Sequence, residues 1–222
     1  MGKGSNFNLA DPEEYEQHGK IIMGIGQNYL DREFRKFVID PQNAKIFRFL
    51  IYYFNGCKLA ESVFEDENYK VSKNLLLIGS SGTGKTLTMQ IFSDYLRLTE
   101  NPAVFQNVSV TQMMNHYKIN GNIDWFTFNE IQSNRAEGKP FNICLNDIGL
   151  ETENQKSYGT ALNSVIDEWL YARYEIYQQF AMKYHLTSNL AVKDFKQRFG
   201  TRLIDRFKSF NVIEFTGESR RK

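Results

Sequence analysis

One octapeptide constrains this chain more than any other feature: Gly79-Ser80-Ser81-Gly82-Thr83-Gly84-Lys85-Thr86. It fits G-x-x-x-x-G-K-[ST], a glycine-rich loop whose backbone amides can wrap around phosphate oxygens. The flanks supply the context the chemistry needs. Asn74-Leu75-Leu76-Leu77-Ile78 precedes the loop as an apolar run of strand length, and the residues after it carry apolar side chains at 87, 91, 92 and 95, which is helical spacing. Glycines let the chain curl onto an anion, and the following helix adds the positive end of its dipole. Gly79, Ser80, Ser81, Gly82, Thr83, Gly84, Lys85, Thr86 and the adjoining Leu87 are therefore the expected nucleotide contacts. Lys85 is expected to reach the β- and γ-phosphates and the Thr86 hydroxyl to ligate Mg²⁺, so ATP and Mg²⁺ are the expected ligands. The alternative, a chance Gly/Ser turn between strand and helix, leaves the agreement of motif and context unexplained.

The rest of the chain repeats the strand and helix alternation. Further strands are expected at Ala103–Phe105, Phe141–Leu145, Ala181–Thr187 and Val212–Phe215. Helices are expected after Asp40-Pro41, over Val110–Tyr117, and where Leu162, Val165, Ile166, Trp169 and Leu170 form one apolar face. The pattern predicts an α/β fold with a five-stranded parallel sheet covered by helices on both faces. At 222 residues there is room for one such domain, with residues 1–25 expected as a flexible N-terminal arm and 26–222 as the core. Residues 118–139 read as a long connection holding Trp125, Phe126 and Phe128. The aromatics Phe47, Phe49, Tyr52, Tyr53 and Phe54 share one helix, where packing outweighs base stacking as an explanation.

Charge narrows the partners only locally. The net charge is +1 over the chain, so no global field points to nucleic acid or membrane. From residue 191 onward, however, nine basic side chains face four acids, an excess that reads first as a solvated face. Cys57 and Cys144 have no metal-ligand spacing and read as buried thiols in a reducing compartment. No apolar run approaches the ~20 residues that cross a bilayer, and no signal-peptide pattern opens the chain, so a cytoplasmic location without membrane contact is expected.

Four features could complete an ATP site. The strand Ile143-Cys144-Leu145 runs into Asn146-Asp147, where a nucleotide hydrolase places the acids that hold Mg²⁺ and polarise water. Thr187-Ser188-Asn189 ends the fourth strand, and the Asn189 amide either orients the attacking water or caps a helix over 191–199. Arg206 and Arg202 lie one helical turn apart on one face. Each is either solvated, with Arg206 able to pair with Asp205, or available to a neighbouring subunit's site.

These pieces together resemble an AAA+ ATPase of the DnaC/IstB group, the helicase loaders and transposition helper ATPases. The resemblance rests on the loop at 79–86, Leu145-Asn146-Asp147-Ile148-Gly149-Leu150-Glu151, the helix with Ile166-Asp167-Glu168 and Arg173-Tyr174, Leu186-Thr187-Ser188-Asn189-Leu190, and Phe215-Thr216-Gly217-Glu218-Ser219-Arg220-Arg221. Phe34-Arg35-Lys36-Phe37 and Asn43 resemble the stretch that leads into the family's core, so the similarity spans roughly residues 25–221. It implies ATP-dependent self-assembly into a homo-oligomer, Arg206 of one subunit acting in the next, single-stranded DNA as a partner, and a replicative helicase or transposase-type protein as another. With only about 25 residues ahead of the recognisable core, partner contacts are expected through the arm or the core itself.

One departure bears on turnover. The family carries two acids where this chain has Asn146 then Asp147. Either Asn146 takes the metal-side place and hydrolysis is slow, with Asp147 polarising water, or Asp147 is the metal partner and Ile148 falls in the catalytic place. Glu151 lies just beyond. The competing readings are thus a hydrolysis-poor ATP-binding scaffold and, less well matched, a small-molecule kinase with the same loop.

Overall fold

The computed structural model describes residues 8–66, 68–127, 140–149, 156–157 and 160–221. The run Asn74–Ile78 forms β1, buried along its whole length. Its side chains alternate: Leu75 and Leu77 join one apolar cluster, Leu76 and Ile78 the other. A strand buried on both faces sits in the middle of a parallel sheet, and β1 does so, with β6 (Tyr184–Ser188) and β7 (Phe210–Glu214) on its two sides. β2 (Phe105–Ser109) and β3 (Asn142–Ile148) extend the sheet, giving the all-parallel order β2-β3-β6-β1-β7. The expected five-stranded α/β architecture is present.

One face carries α1 (Pro12–Asp31), α2 (Ala44–Phe54) and α3 (Lys85–Leu98), which bring Ile22, Phe47, Phe49, Phe54, Ile91 and Phe92 against Leu75, Leu77 and Ile213. The other carries α4 (Val110–Asn120), α5 (Asp124–Thr127), α6 (Leu162–Phe180), α7 (Val192–Arg198) and α8 (Thr201–Arg206), with Met113, Ile166, Trp169 and Leu203 against Leu76, Ile78 and Leu186. A short antiparallel pair, β4 (Lys156–Ser157) with β5 (Thr160–Ala161), precedes α6. The chain leaves β1 toward β2 on one side and leaves β6 for β7 on the other. The loop after β1 therefore opens at the point where connections diverge, the crevice in which open α/β sheets bind ligands.

The structure corrects the expected flexible arm. Residues 12–25 belong to α1, which Asp11 caps by accepting from the Glu13 amide and Pro12 starts. His18, Ile22, Gly26 and Leu30 recur every four residues and are buried, with α1 packed against α3. The polar composition of this segment masked a narrow apolar stripe. Strand limits also move. Ala103 and Val104 lie in a turn, their amides donating to the Asn101 side chain at 2.9 Å and its carbonyl at 3.1 Å, so β2 starts at Phe105. Ala181 ends α6 at φ 55°, and β6 starts three residues later. β7 starts at Phe210, ahead of the expected Val212. Of the connection expected over 118–139, residues 128–139 lie outside the described residues, as do Leu150 and Glu151.

Candidate nucleotide site

The loop is shaped by its glycines and closed on its lysine. Gly79, Gly82 and Gly84 adopt φ of 145°, 81° and 99°, all unfavourable for other residues. Gly79 also has a packing reason: a side chain there would run into the Phe215 carbonyl oxygen. Lys85 is only 3% exposed. Its ammonium donates to the carbonyl oxygens of Gly79 at 2.7 Å and Ser80 at 2.8 Å, and to Thr83 Oγ1 at 3.3 Å. Thr83 Oγ1 in turn donates to the Ser80 carbonyl at 2.9 Å. Burial pulls the Lys85 pKa down to about 8, against the opposing pull of Asp147 and with the Arg221 charge adding to the depression. Around neutral pH the ammonium form still predominates, a positive charge held at the head of α3.

A β-bulge aims the acid. β3 and β6 pair in register at Leu145 with Leu186 and again at Ile148 with Ser188, so Asn146 and Asp147 together oppose the single residue Thr187. Such an extra residue re-aims side chains locally, and Asp147 takes φ 65°. The Asp147 amide donates to Thr187 Oγ1 at 2.9 Å, and Ser188 Oγ donates to the Ile148 carbonyl at 2.7 Å. Asp147 Oδ1 then accepts from Thr86 Oγ1 at 3.3 Å and from Asn189 Nδ2 at 3.4 Å. Three residues chosen from sequence, on three different elements, thus converge beside the loop. Asn189 does not cap the next helix: α7 begins after Ala191, with no side-chain cap.

Asn146, expected on the metal side, is turned elsewhere. It is buried, donating from Nδ2 to Asn107 Oδ1 at 3.1 Å and to the Val108 carbonyl at 3.5 Å, while its Oδ1 accepts from Thr187 Oγ1 at 3.3 Å. The residue facing Thr86 is Asp147, and the side chain after it is the fully buried Ile148. Asn146→Asp is therefore expected to destabilise the chain instead of restoring an acid to the site. The carboxylate oxygen in place of Nδ2 would meet the oxygens of Asn107 and Val108 with no donor between them, while the other oxygen keeps its bond from Thr187 Oγ1. A loss of at least about 2 kcal/mol is expected for such a buried, unpaired group, a melting temperature lower by roughly 4–8 °C in a chain of this size. Thermal unfolding checks this; an unchanged melting temperature with faster ATP turnover would instead place position 146 at the metal.

The cleft holding these groups is about 560 Å³ and is lined by Ser81, Gly82, Thr83, Gly84, Lys85, Thr86, Leu87, Asp147 and Asn189. Its far wall is the segment between α1 and α2, with Arg35, Lys36, Phe37, Val38 and Asn43. Sequence reasoning linked Arg35, Lys36, Phe37 and Asn43 to a family pattern without giving them a place in the site. Arg220 and Arg221 also line the cleft, although the basic run they belong to read as a solvated face. A larger groove of about 900 Å³ beside α1 and α3 contains none of the loop residues.

Arg206 is away from this cleft. Its guanidinium lies 4.3 Å from the ring centre of Tyr171 and 4.6 Å from that of Tyr174, a cation held between two aromatic faces on α6. Its expected partner Asp205 pairs with Lys208. Arg202, one turn earlier, is exposed. Among the described residues no helix is long and apolar enough to cross a membrane, and no group of three or more His, Cys, Asp or Glu side chains could hold a metal ion. A Mg²⁺ held by one hydroxyl, one carboxylate and phosphate oxygens needs no such group, and Thr86 with Asp147 offers that donor set.

No family model matches the sequence, and no curated protein matches it. Solved structures share its fold. Domain III of the replication initiation protein DnaA from Thermotoga maritima superposes with a TM-score of 0.55 at 16% identity, over 81% of this chain and 65% of that one. AMPPCP-bound DnaA from Aquifex aeolicus gives 0.52 at 16% identity, over 81% of this chain and 48% of that one. A Streptococcus pyogenes serotype M3 protein assigned as a primosome component gives 0.52 at 16% identity, over 83% of this chain and 85% of that one. The chain thus spans about half of the Aquifex protein. At these identities the likeness is one of fold: the five-stranded parallel sheet flanked by helices is shared with the DnaA structures.

Proposed function

We propose that this chain is an ATPase that binds Mg²⁺-ATP in the cleft above β1 and acts, as an ATP-dependent homo-oligomer, on single-stranded DNA together with a protein partner such as a replicative helicase. The observation that carries the ATPase reading is the meeting of Thr86, Asp147 and Asn189 on one carboxylate oxygen beside the Lys85 loop. Lys85 neutralises phosphate charge, and Thr86 and Asp147 hold the metal. The metal would supply charge neutralisation at the phosphates and lower the pKa of a bound water. Asn189 orients water over the phosphates. The replication role is supported by the AAA+ fold and by the DnaC/IstB-like order of motifs; a transposition helper shares both.

For the oligomer, α8 is the element we assign to the neighbouring subunit's site. Arg202 is its exposed guanidinium, while Arg206 must leave Tyr171 and Tyr174 to act in trans. A trans-acting arginine contributes about 10³–10⁵ in turnover. The ATPase rate per chain should therefore rise steeply with protein concentration, and single-stranded DNA should raise it further. A rate per chain that is flat with concentration would place a complete site within one chain and remove the assembly part.

One observation favours a second reading, a hydrolysis-poor scaffold. With Asp147 on the Thr86 side, the next position is Ile148, which has no group to polarise water. Under that reading ATP drives assembly while phosphate release stays near background at every concentration.

A further inference from the structure

A bulge leaves a backbone group without its partner in the strand ladder. In β3 that group is the Asp147 amide, and the Thr187 hydroxyl stands in for the missing carbonyl, accepting at 2.9 Å. The Thr187 hydroxyl donates in the other direction, to Asn146 Oδ1 at 3.3 Å. Thr187 is fully buried. Ser188, equally buried, secures the other side of the acid. Its hydroxyl donates to the Ile148 carbonyl at 2.7 Å and accepts from the Leu190 amide at 3.2 Å. One oxygen thus ties the residue after Asp147 to the residue after Asn189, in the kind of local turn that serine hydroxyls make. Gly149 lets the two chain ends approach, because a side chain there would run into Leu190.

The acid needs this hold. Asp147 has a left-handed backbone, which a residue with a side chain keeps only where its surroundings over-determine it. Its carboxylate contacts are long, 3.3 Å to Thr86 and 3.4 Å to Asn189. Bonds of that length are too weak to dictate a backbone. The shorter bonds, 2.9 Å to the Asp147 amide and 2.7 Å to the Ile148 carbonyl, decide the conformation.

We infer that Thr187 and Ser188 are positioning residues of the nucleotide site: their hydroxyls bracket Asp147 and aim its carboxylate at Thr86, with Asn189 held alongside. The inference rests on the reading of Asp147 as a metal ligand and deepens it. Three consecutive residues at the end of β6 then serve one acid, Thr187 through its amide, Ser188 through the following carbonyl and Asn189 through its carboxylate.

The test is titration of ATP into wild type, Thr187→Val, Thr187→Ser and Ser188→Ala, first in EDTA and then at rising Mg²⁺, with thermal unfolding alongside. Lys85 and the loop amides hold phosphate without Asp147, so ATP affinity in EDTA should match wild type in every variant. The Mg²⁺ concentration that half-maximally tightens ATP binding should rise by about 10–100-fold in Thr187→Val and Ser188→Ala, the effect of removing a group that orients a metal ligand. Thr187→Ser keeps the hydroxyl and should stay near wild type. A folded variant with a lower melting temperature but wild-type Mg²⁺ dependence would overturn the assignment of its residue, leaving the nucleotide site intact. Affinity lost equally in EDTA and in Mg²⁺ would also overturn it, as general damage to the fold. If Thr187→Val does not fold, Ser188→Ala decides by the same readout. A wild type whose ATP affinity ignores Mg²⁺ would remove the metal role of Asp147 and the inference with it.

Discussion

Lys85→Ala is expected to weaken ATP binding at least about 100-fold. Removing a buried ammonium that meets phosphate deletes several charge-assisted hydrogen bonds, worth roughly 1.5–3 kcal/mol each, and about 2.8 kcal/mol is already 100-fold. The substitution acts twice here. Lys85 also ties the Gly79 and Ser80 carbonyl oxygens together, so its loss leaves the loop without the donor that shapes it. Circular dichroism should show the fold retained, since the lysine anchors the loop and leaves both apolar clusters untouched. Binding by Lys85→Ala equal to that of wild type would mean that the loop is not the phosphate site.

Asp147→Asn should have the second large effect, and of a different kind: ATP stays bound while phosphate release falls by about 10²–10⁴-fold, the range of a positioned proton acceptor or metal ligand. The amide preserves size and can still meet Thr86 and Asn189, so the cleft keeps its shape. What disappears is the one acid that the described residues bring to Thr86. Steady-state phosphate release under saturating ATP measures it. An Asp147→Asn rate equal to that of a clearly active wild type would move the catalytic acid elsewhere.

Much of this arrangement could be read along the chain. The glycine loop, its strand and its helix lie in one stretch of sequence, so motif and structure coincide there. The central strands were legible because burial on both faces leaves unbroken apolar runs such as Leu75-Leu76-Leu77-Ile78. Asp147 and Asn189 could be chosen because both end apolar strands. What could not be read was direction. Alternation along β3 says nothing of the bulge opposite Thr187, and the bulge decides that Asp147 faces Thr86 while Asn146 turns to Asn107. Long-range returns were equally hidden. Arg220 lies more than a hundred residues from the loop its amide touches, and its stretch of sequence read as a basic run and a family pattern without a place in the site. Arg206 looked like a surface arginine until Tyr171 and Tyr174 were seen on either side of it. The stripe that fixes α1 was masked by Glu13, Glu14, Glu16 and Lys20 in its first half.

Calorimetric titration of Mg²⁺-ATP into wild type, Lys85→Ala and Asp147→Asn, side by side, tests the nucleotide site most directly. One ATP per chain is expected for wild type and for Asp147→Asn, with no measurable binding by Lys85→Ala. A wild type that takes up no ATP at millimolar nucleotide, or a Lys85→Ala variant that binds as wild type does, would contradict the assignment of this cleft.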